Sequence, residues 1–194
     1  MKTLAAIAGV CALGLSALAE TNQPANKSDE IIVTASRAEA KPFETAYITD
    51  IITSDQIQNQ KLSRTMPEIF SSDPSVTVQK TSQGQGSPFI RGFTGFRNLL
   101  LIDGIRLNNS VFRDGPNEYW NTVDSFTIGR LEVVKGPASV LYGSDAIGGT
   151  VNVITVSPKQ EKGFSYRASE RYATADDSSV ARAEIDGALN PNLR

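Results

Sequence analysis

The 194-residue chain has no histidine. That absence removes the commonest general base, every Ser-His-Asp arrangement and the usual imidazole ligands of zinc. It has one cysteine, Cys11, inside an apolar run near the N-terminus. Beyond Leu15 no apolar run is long enough for a transmembrane helix. Neither sign of charge dominates: the net charge is −2, which leaves no basic footprint for nucleic acid. No paired-acid motif stands in for the missing residues. An enzyme is therefore not expected, and nothing calls for a cofactor or a resident metal.

What is present begins with MKTLAAIAGVCALGLSALAE. Lys2 supplies a positive start, and Leu4 to Leu15 has the length of a signal-peptide apolar segment. Ala17-Leu18-Ala19 is an A-x-A cleavage pattern. Residues 1–19 read as a signal peptide, with the mature chain starting at Glu20. Val10 is not the small residue that a lipoprotein site wants before its cysteine, so Cys11 is apolar filler that is discarded. The mature chain then lacks thiol and disulfide chemistry. About 175 residues remain, enough for one ordinary domain.

Residues 20–45 read as a polar leader. Within it, DEIIVTASR opens with two acids and continues as a β-prone run. That run is either an edge strand or an exposed strand that waits for another protein's sheet edge. Ala46 to Ile52 reads as a strand, and Thr53-Ser54-Asp55 as the start of a helix toward Leu62. Thr65 and Glu68 have capping-box spacing, so a second helix starts there and stops near Ser71. Ser75 to Lys80 is a strand. Thr81 to Ser87 (TSQGQGS) is a loop, because no lysine or helix follows to make it a phosphate cradle. Phe89 to Arg91 is a strand.

Asp103-Gly104 between two apolar runs predicts a two-residue hairpin. A long polar-aromatic loop follows, from Asn108 to Asn121. Arg130 to Lys135 is a strand, Pro137 to Tyr142 a short helix with Gly143 past its end, and Thr150 to Thr155 the last strand. From Phe164 the pattern alternates. Phe164, Tyr166, Ala168 and Tyr172 share one face, with Glu170 breaking it, and Ala181, Ala183, Ile185, Gly187 and Leu189 share another. Two strands of about ten residues fit the start of a transmembrane barrel or a soluble amphipathic hairpin.

The motifs in order resemble one family. DEIIVTASR is similar to the TonB box of TonB-dependent outer-membrane receptors. FIRGF, LLIDGIRLN, RLEVVKGPASVLYGSDAIGG and TVNVIT are similar to the successive motifs of their plug domain. The ending GSDAIGGTVNVIT is similar to the cobalamin and catecholate-siderophore branches. The resemblance spans Asp29 to Thr155 and continues into the first barrel hairpin. It implies an α+β plug domain over 46–156, a small mixed β-sheet with short helices. The start of an antiparallel transmembrane β-barrel follows over 163–194. It further implies a location in the Gram-negative outer membrane, with the plug in the barrel lumen and the TonB box facing the periplasm. The implied partners are TonB, by strand addition, a metal chelate (siderophore, haem or cobalamin), the protein's own β-barrel and the membrane. With no histidine, this plug offers no imidazole to haem iron.

Site expectations follow from the resemblance. Asp29, Glu30, Ile31, Ile32, Val33, Thr34 and Ala35 bind TonB. Phe96, Arg97, Phe112, Arg113, Asn117, Tyr119 and Trp120, in the loops Phe93 to Asn98 and Asn109 to Trp120, contact the ligand. Arg91, Arg130, Glu132 and Lys135 meet the barrel wall, where Lys135 stands in a place many members give to arginine. The competing expectation is a stand-alone periplasmic plug-like module that binds without transporting.

Overall fold

In the runs NLLLI, LEVV and TVNVI both alternating sets of side chains are mostly apolar, the mark of strands covered on two faces. The computed structural model describes residues 32, 34–38, 41, 44–61, 63–82, 84–111, 113–116, 118–157, 163–174 and 177–188. In chain order its strands are β1 (Ile48–Thr53), β2 (Val76–Ser82), β3 (Gln85–Ile90), β4 (Asn98–Ile102), β5 (Ile105–Arg106), β6 (Ile128–Lys135), β7 (Gly149–Thr155), β8 (Gly163–Ala173) and β9 (Ser178–Ala188). Five of them form one sheet in the order β1-β6-β7-β4-β5. Only β4 and β7 run parallel; the other pairs are antiparallel.

Strand alternation assigns the two faces. Leu131 and Val133 of β6, Val151 and Val153 of β7 and Leu100 of β4 point into the main core. There they meet Ile57, Met66, Ile69, Phe70, Ile90 and Trp120. Phe70 and Trp120 sit edge to face, 6.5 Å between ring centres. The opposite face carries Leu99 and Leu101 against Ala138 and Ala146, and Val134 against Ile32 and Ala35. The mixed sheet expected from the sequence is present.

The helical pieces are short, as expected, and locally specified. Thr53 and Gln56 cap one another: the Thr53 N–H donates to Gln56 Oε1 at 3.0 Å and the Gln56 N–H to Thr53 Oγ1 at 3.4 Å. One wide turn follows, Gln56–Lys61. The expected capping box at Thr65 is half made. Glu68 reaches back to the N–H groups of Arg64 and Thr65, but the turn is a 3-10 helix, Pro67–Phe70, with no side-chain cap from its first residue. Helix α1 (Ser139–Tyr142) ends at Gly143, whose φ is +76°. The Asp103-Gly104 hairpin turn has φ of +49° and +80°, as a type I′ turn requires.

One element differs from the sequence reading. The stretch read as a loop, Thr81 to Ser87, is the end of a hairpin: β2 pairs with β3 from Val76↔Ile90 to Ser82↔Gln85. Gly84 makes the turn at φ +73°, while Gly86 lies inside β3.

The pair β8–β9 is a regular hairpin, from Gly163↔Ala188 to Ala173↔Ser178. Eleven residues rise about 36 Å, which at a tilt of about 45° covers the height of a bilayer's apolar band. Tyr166 and Ile185, opposite one another, are 90% and 83% exposed. The other face rests on the plug: Arg171 donates to the Ser63 carbonyl at 2.8 Å, and Arg182 pairs with Asp124. Both guanidinium groups flank the Phe126 ring, at 5.1 and 5.6 Å.

Trp120, the chain's sole tryptophan, reports the state of the main core. Phe70→Ala should lower stability by about 3–5 kcal/mol, because it opens a cavity beside the indole. Urea titration followed by Trp120 emission measures the loss. A midpoint unchanged from wild type would mean that this core does not hold the fold.

Candidate functional site

Three buried polar residues, Glu132, Asn152 and Thr150, interrupt the second face of the sheet. Glu132 of β6 and Asn152 of β7 are direct register partners. Glu132 is fully buried and Asn152 is 5% exposed. A charged carboxylate there needs donors. Arg130 of the same strand supplies one edge: its Nε lies 3.0 Å from Glu132 Oε1. Thr34 supplies the other. Its backbone N–H and its hydroxyl both donate to Glu132 Oε2, at 2.9 and 2.7 Å. Asn152 Nδ2 donates to the Thr34 hydroxyl at 3.1 Å, and the Tyr142 hydroxyl donates to the Thr34 carbonyl at 2.8 Å. Ile32, Thr34 and Ala35 are all buried.

This corrects the expectation of an unpaired, exposed strand. The segment is stowed, because Thr34 is what satisfies Glu132. Asp29, Glu30, Ile31 and Val33 lie outside the described residues. Burying one isoleucine contributes about 2 kcal/mol and each buried hydrogen bond about 1 kcal/mol.

The other expected wall charges divide. Lys135 finds its counter-charges inside the chain: its Nζ lies 2.5 Å from Asp50 and 2.7 Å from Asp73. The register explains it, since Ile48 opposite Lys135 puts Asp50 opposite Val133, diagonal to Lys135 on one face. Burial would raise the Asp73 carboxyl, but hydrogen bonds from Lys135 and Ser75 outweigh it and hold it below the usual carboxylate range. Burial would lower the Lys135 ammonium, but its bonds to Asp50 and Asp73 hold it above its usual value. Arg130 is taken by Glu132. Arg91 is exposed at φ +52°, with its guanidinium over Gly136. Among the described residues it has no carboxylate partner.

Of the two expected ligand loops only the second, Asn109 to Trp120, contributes to a cleft of about 320 Å³, which it forms with the β2–β3 hairpin; no residue of Phe93 to Asn98 lines it. Gln79, Thr81, Gln85 and Ser87 line one side; Arg113, Asp114 and Glu118 line the other. Arg113 pairs with Glu118 at 2.6 Å and Arg97 with Asp114 at 3.4 Å. Arg97 also lies over the Phe96 ring at 5.0 Å. Phe96 and Tyr119 are half-buried. Phe112 and Asn117 lie outside the described residues. Trp120 is 1% exposed and belongs to the core; a polar loop dips inward there to pack on Phe70. The hairpin side of the cleft and Asn152 are additions to the expected set. Asn152 carried a signal, a polar residue amid apolar ones in TVNVIT. The hairpin side was hidden by its glycines.

Residues 41–150 match the family model of the TonB-dependent receptor plug domain. The chain belongs to that family. The plug is 35% identical over 144 residues to the vitamin B12 transporter BtuB of Vibrio vulnificus, covering 73% of this chain and 23% of the relative. It is 32% identical over 180 residues to the iron-regulated outer membrane virulence protein of Vibrio cholerae, covering 88% and 27%. Among solved structures it is similar to a variant of the ferric enterobactin receptor PfeA of Pseudomonas aeruginosa in complex with enterobactin. That match has a TM-score of 0.56 and 29% identity, and covers 76% of this chain and 23% of that one. The chain thus spans about a quarter of the length of these relatives. They are receptors and transporters, not enzymes.

The charged pairs predict a pH dependence. Asp73 is depressed, so its contribution is present above the usual carboxylate range and lost as pH falls. Lys135 is raised, so its contribution is present below the usual ammonium range and lost as pH rises. The plug should therefore lose stability below about pH 4. Lys135→Met should flatten that slope and cost about 1–3 kcal/mol at neutral pH. Urea midpoints measured across pH decide it; parallel curves for both proteins would refute the role of the pair.

Proposed function

We propose that this chain is the plug and TonB-coupling part of an outer-membrane active transporter for a metal chelate, energised by TonB. The observation that carries the reading is the stowed N-terminal segment: a β-prone run held on the sheet by Glu132 and Asn152. Once released, it offers a partner's sheet edge a strand whose backbone bonds give grip with little demand on side chains. The cleft at the β2–β3 tip takes the chelate, with Arg113 and the glutamines as polar contacts. The barrel encloses the plug, and Arg91 is the charge left for its wall. The relatives' names place vitamin B12 and ferric enterobactin among the chelates to test, with haem as a third.

The alternative, a stand-alone periplasmic module, leaves β8–β9 without a purpose. Its outer face exposes Phe164, Tyr166, Tyr172 and Ile185, which suits lipid and not water.

Ile32→Pro removes a backbone donor from the strand that TonB would pair with. In cells expressing the variant from the native locus, uptake of labelled cyanocobalamin or ferric siderophore should be abolished while surface binding of the same chelate persists. Retained uptake would refute the coupling role. Arg113→Ala should weaken binding of the transported chelate about tenfold, through loss of a charged hydrogen bond. Unchanged affinity would move the contacts off this loop.

A further inference from the structure

The cleft at the β2–β3 tip has two walls of different chemistry. On the hairpin wall, strand alternation sends Gln79 and Thr81 of β2 to one face, and Gln79 pairs in register with Ser87 of β3. With Gln85 they make a wall of amides and hydroxyls. The hairpin's one charge, Lys80, falls between Gln79 and Thr81 on the other face, where it pairs with Glu68 at 2.5 Å. Thr81 donates to Gln85 Oε1 at 3.4 Å, so the Gln85 amide N–H groups are left for another partner.

The loop wall is charged but cancelled. Arg113 is the one cation among the described residues that line the cleft, and two carboxylates, Asp114 and Glu118, stand with it. Glu118 Oε2 takes the Arg113 guanidinium at 2.6 Å. Asp114 faces Arg97, just outside the cleft, at 3.4 Å, and accepts the Gly115 N–H at 2.8 Å. The loop is seated there: Gly95 lies so close to the Gly115 carbonyl that a side chain on it would collide.

An anionic ligand entering this cleft gains a guanidinium already in use and meets two carboxylates that repel it. An uncharged ligand rimmed with amides or hydroxyls loses nothing to those carboxylates. It can bond to Gln79, Thr81 and Gln85. It can also take the Arg113 N–H groups that Glu118 leaves open, since a guanidinium has more donors than one carboxylate can accept.

We infer that Glu118 and Asp114 determine specificity: they hold the cleft for an uncharged chelate with an amide- or hydroxyl-bearing rim and turn away anionic chelates. The selection lies as much in what is repelled as in what is bound. This inference rests on the proposed reading of the cleft as the chelate site. The side chains of both ion pairs are substantially open to water. Exposed pairs of this kind add little to stability, so removing either carboxylate should leave the fold intact.

The test measures dissociation constants on membranes of cells producing the receptor from its native locus, with membranes of cells lacking the gene as blank. Two neutral probes, cyanocobalamin and a ferric trihydroxamate, stand against two anionic ones, ferric enterobactin and haem. The wild type should bind at least one neutral probe and prefer it to both anionic ones. Glu118→Gln and Asp114→Asn keep the shape of each side chain and remove its charge. Each should shift the ratio of anionic to neutral affinity about tenfold toward the anionic probe. The shift should shrink as ionic strength rises, because salt screens exposed charges. A merely structural role would weaken all probes together and leave the ratio where it was, which would overturn the inference.

The double variant Gln79→Ala, Gln85→Ala tests the underlying reading. If it weakens the neutral probe while the charge variants leave the ratio unmoved, charge selection is overturned and the cleft stands as the chelate site. If it and the charge variants alike leave every affinity unchanged, the cleft is not the site and both readings fall. A wild type that binds neither neutral probe, or prefers an anionic one, overturns the inference outright.

Discussion

A carboxylate set into the apolar face of a sheet must be bonded or the sheet does not close over it. Glu132 is that carboxylate, and much of the architecture follows from its demand. Its strand offers it Arg130 on one edge only. The second edge is met by a backbone N–H and a hydroxyl from Thr34, almost a hundred residues earlier in the chain. The fold is thereby obliged to carry its N-terminal segment against the sheet, where Asn152 and Tyr142 also bond to Thr34. The hold on that segment is a handful of polar bonds and two apolar side chains.

The rest of the plug keeps its charges largely at home. Lys135 is shared by Asp50 and Asp73, Lys80 by Glu68, Arg106 by Asp145. A body whose ion pairs close within itself meets its surroundings through few strong bonds. The firmest described link to β8–β9 is made by arginines against one ring, Phe126, with Asp124 beside it. That contact is a stack and an ion pair, not a greasy seal.

Legibility from the sequence tracked the range of the forces involved. The Asp103-Gly104 turn was readable because its chemistry lies within two residues. The helix start at Thr53 was readable for the same reason, and the amphipathic faces of β8 and β9 because period two is a local pattern. The β2–β3 hairpin was misread, because Gly84-x-Gly86 has the look of loop punctuation. Gly86 has no turn to make: it is an ordinary strand residue, and a Cβ there would meet Pro67 and the Gln79 carbonyl at normal contact distance. Trp120 was taken for a ligand contact because its neighbours are polar; only the position of Phe70 shows that it turns inward. The counter-charges of Lys135 and the burial of Thr34 depend on pairings between distant strands. No local pattern encodes those, although polar Glu132 and Asn152 amid apolar runs marked the place.

The strand order also bears on time. β1 finds its partner only in β6, and β4 only in β7 apart from the small hairpin with β5. The sheet cannot assemble until residues near Thr155 have been made, and its closure joins segments far apart in sequence. Such topologies fold slowly, because the loop entropy is spent before the contacts reward it. The front of the sheet therefore waits on its end: β1 and β4 have their long partners only once β6 and β7 are in place.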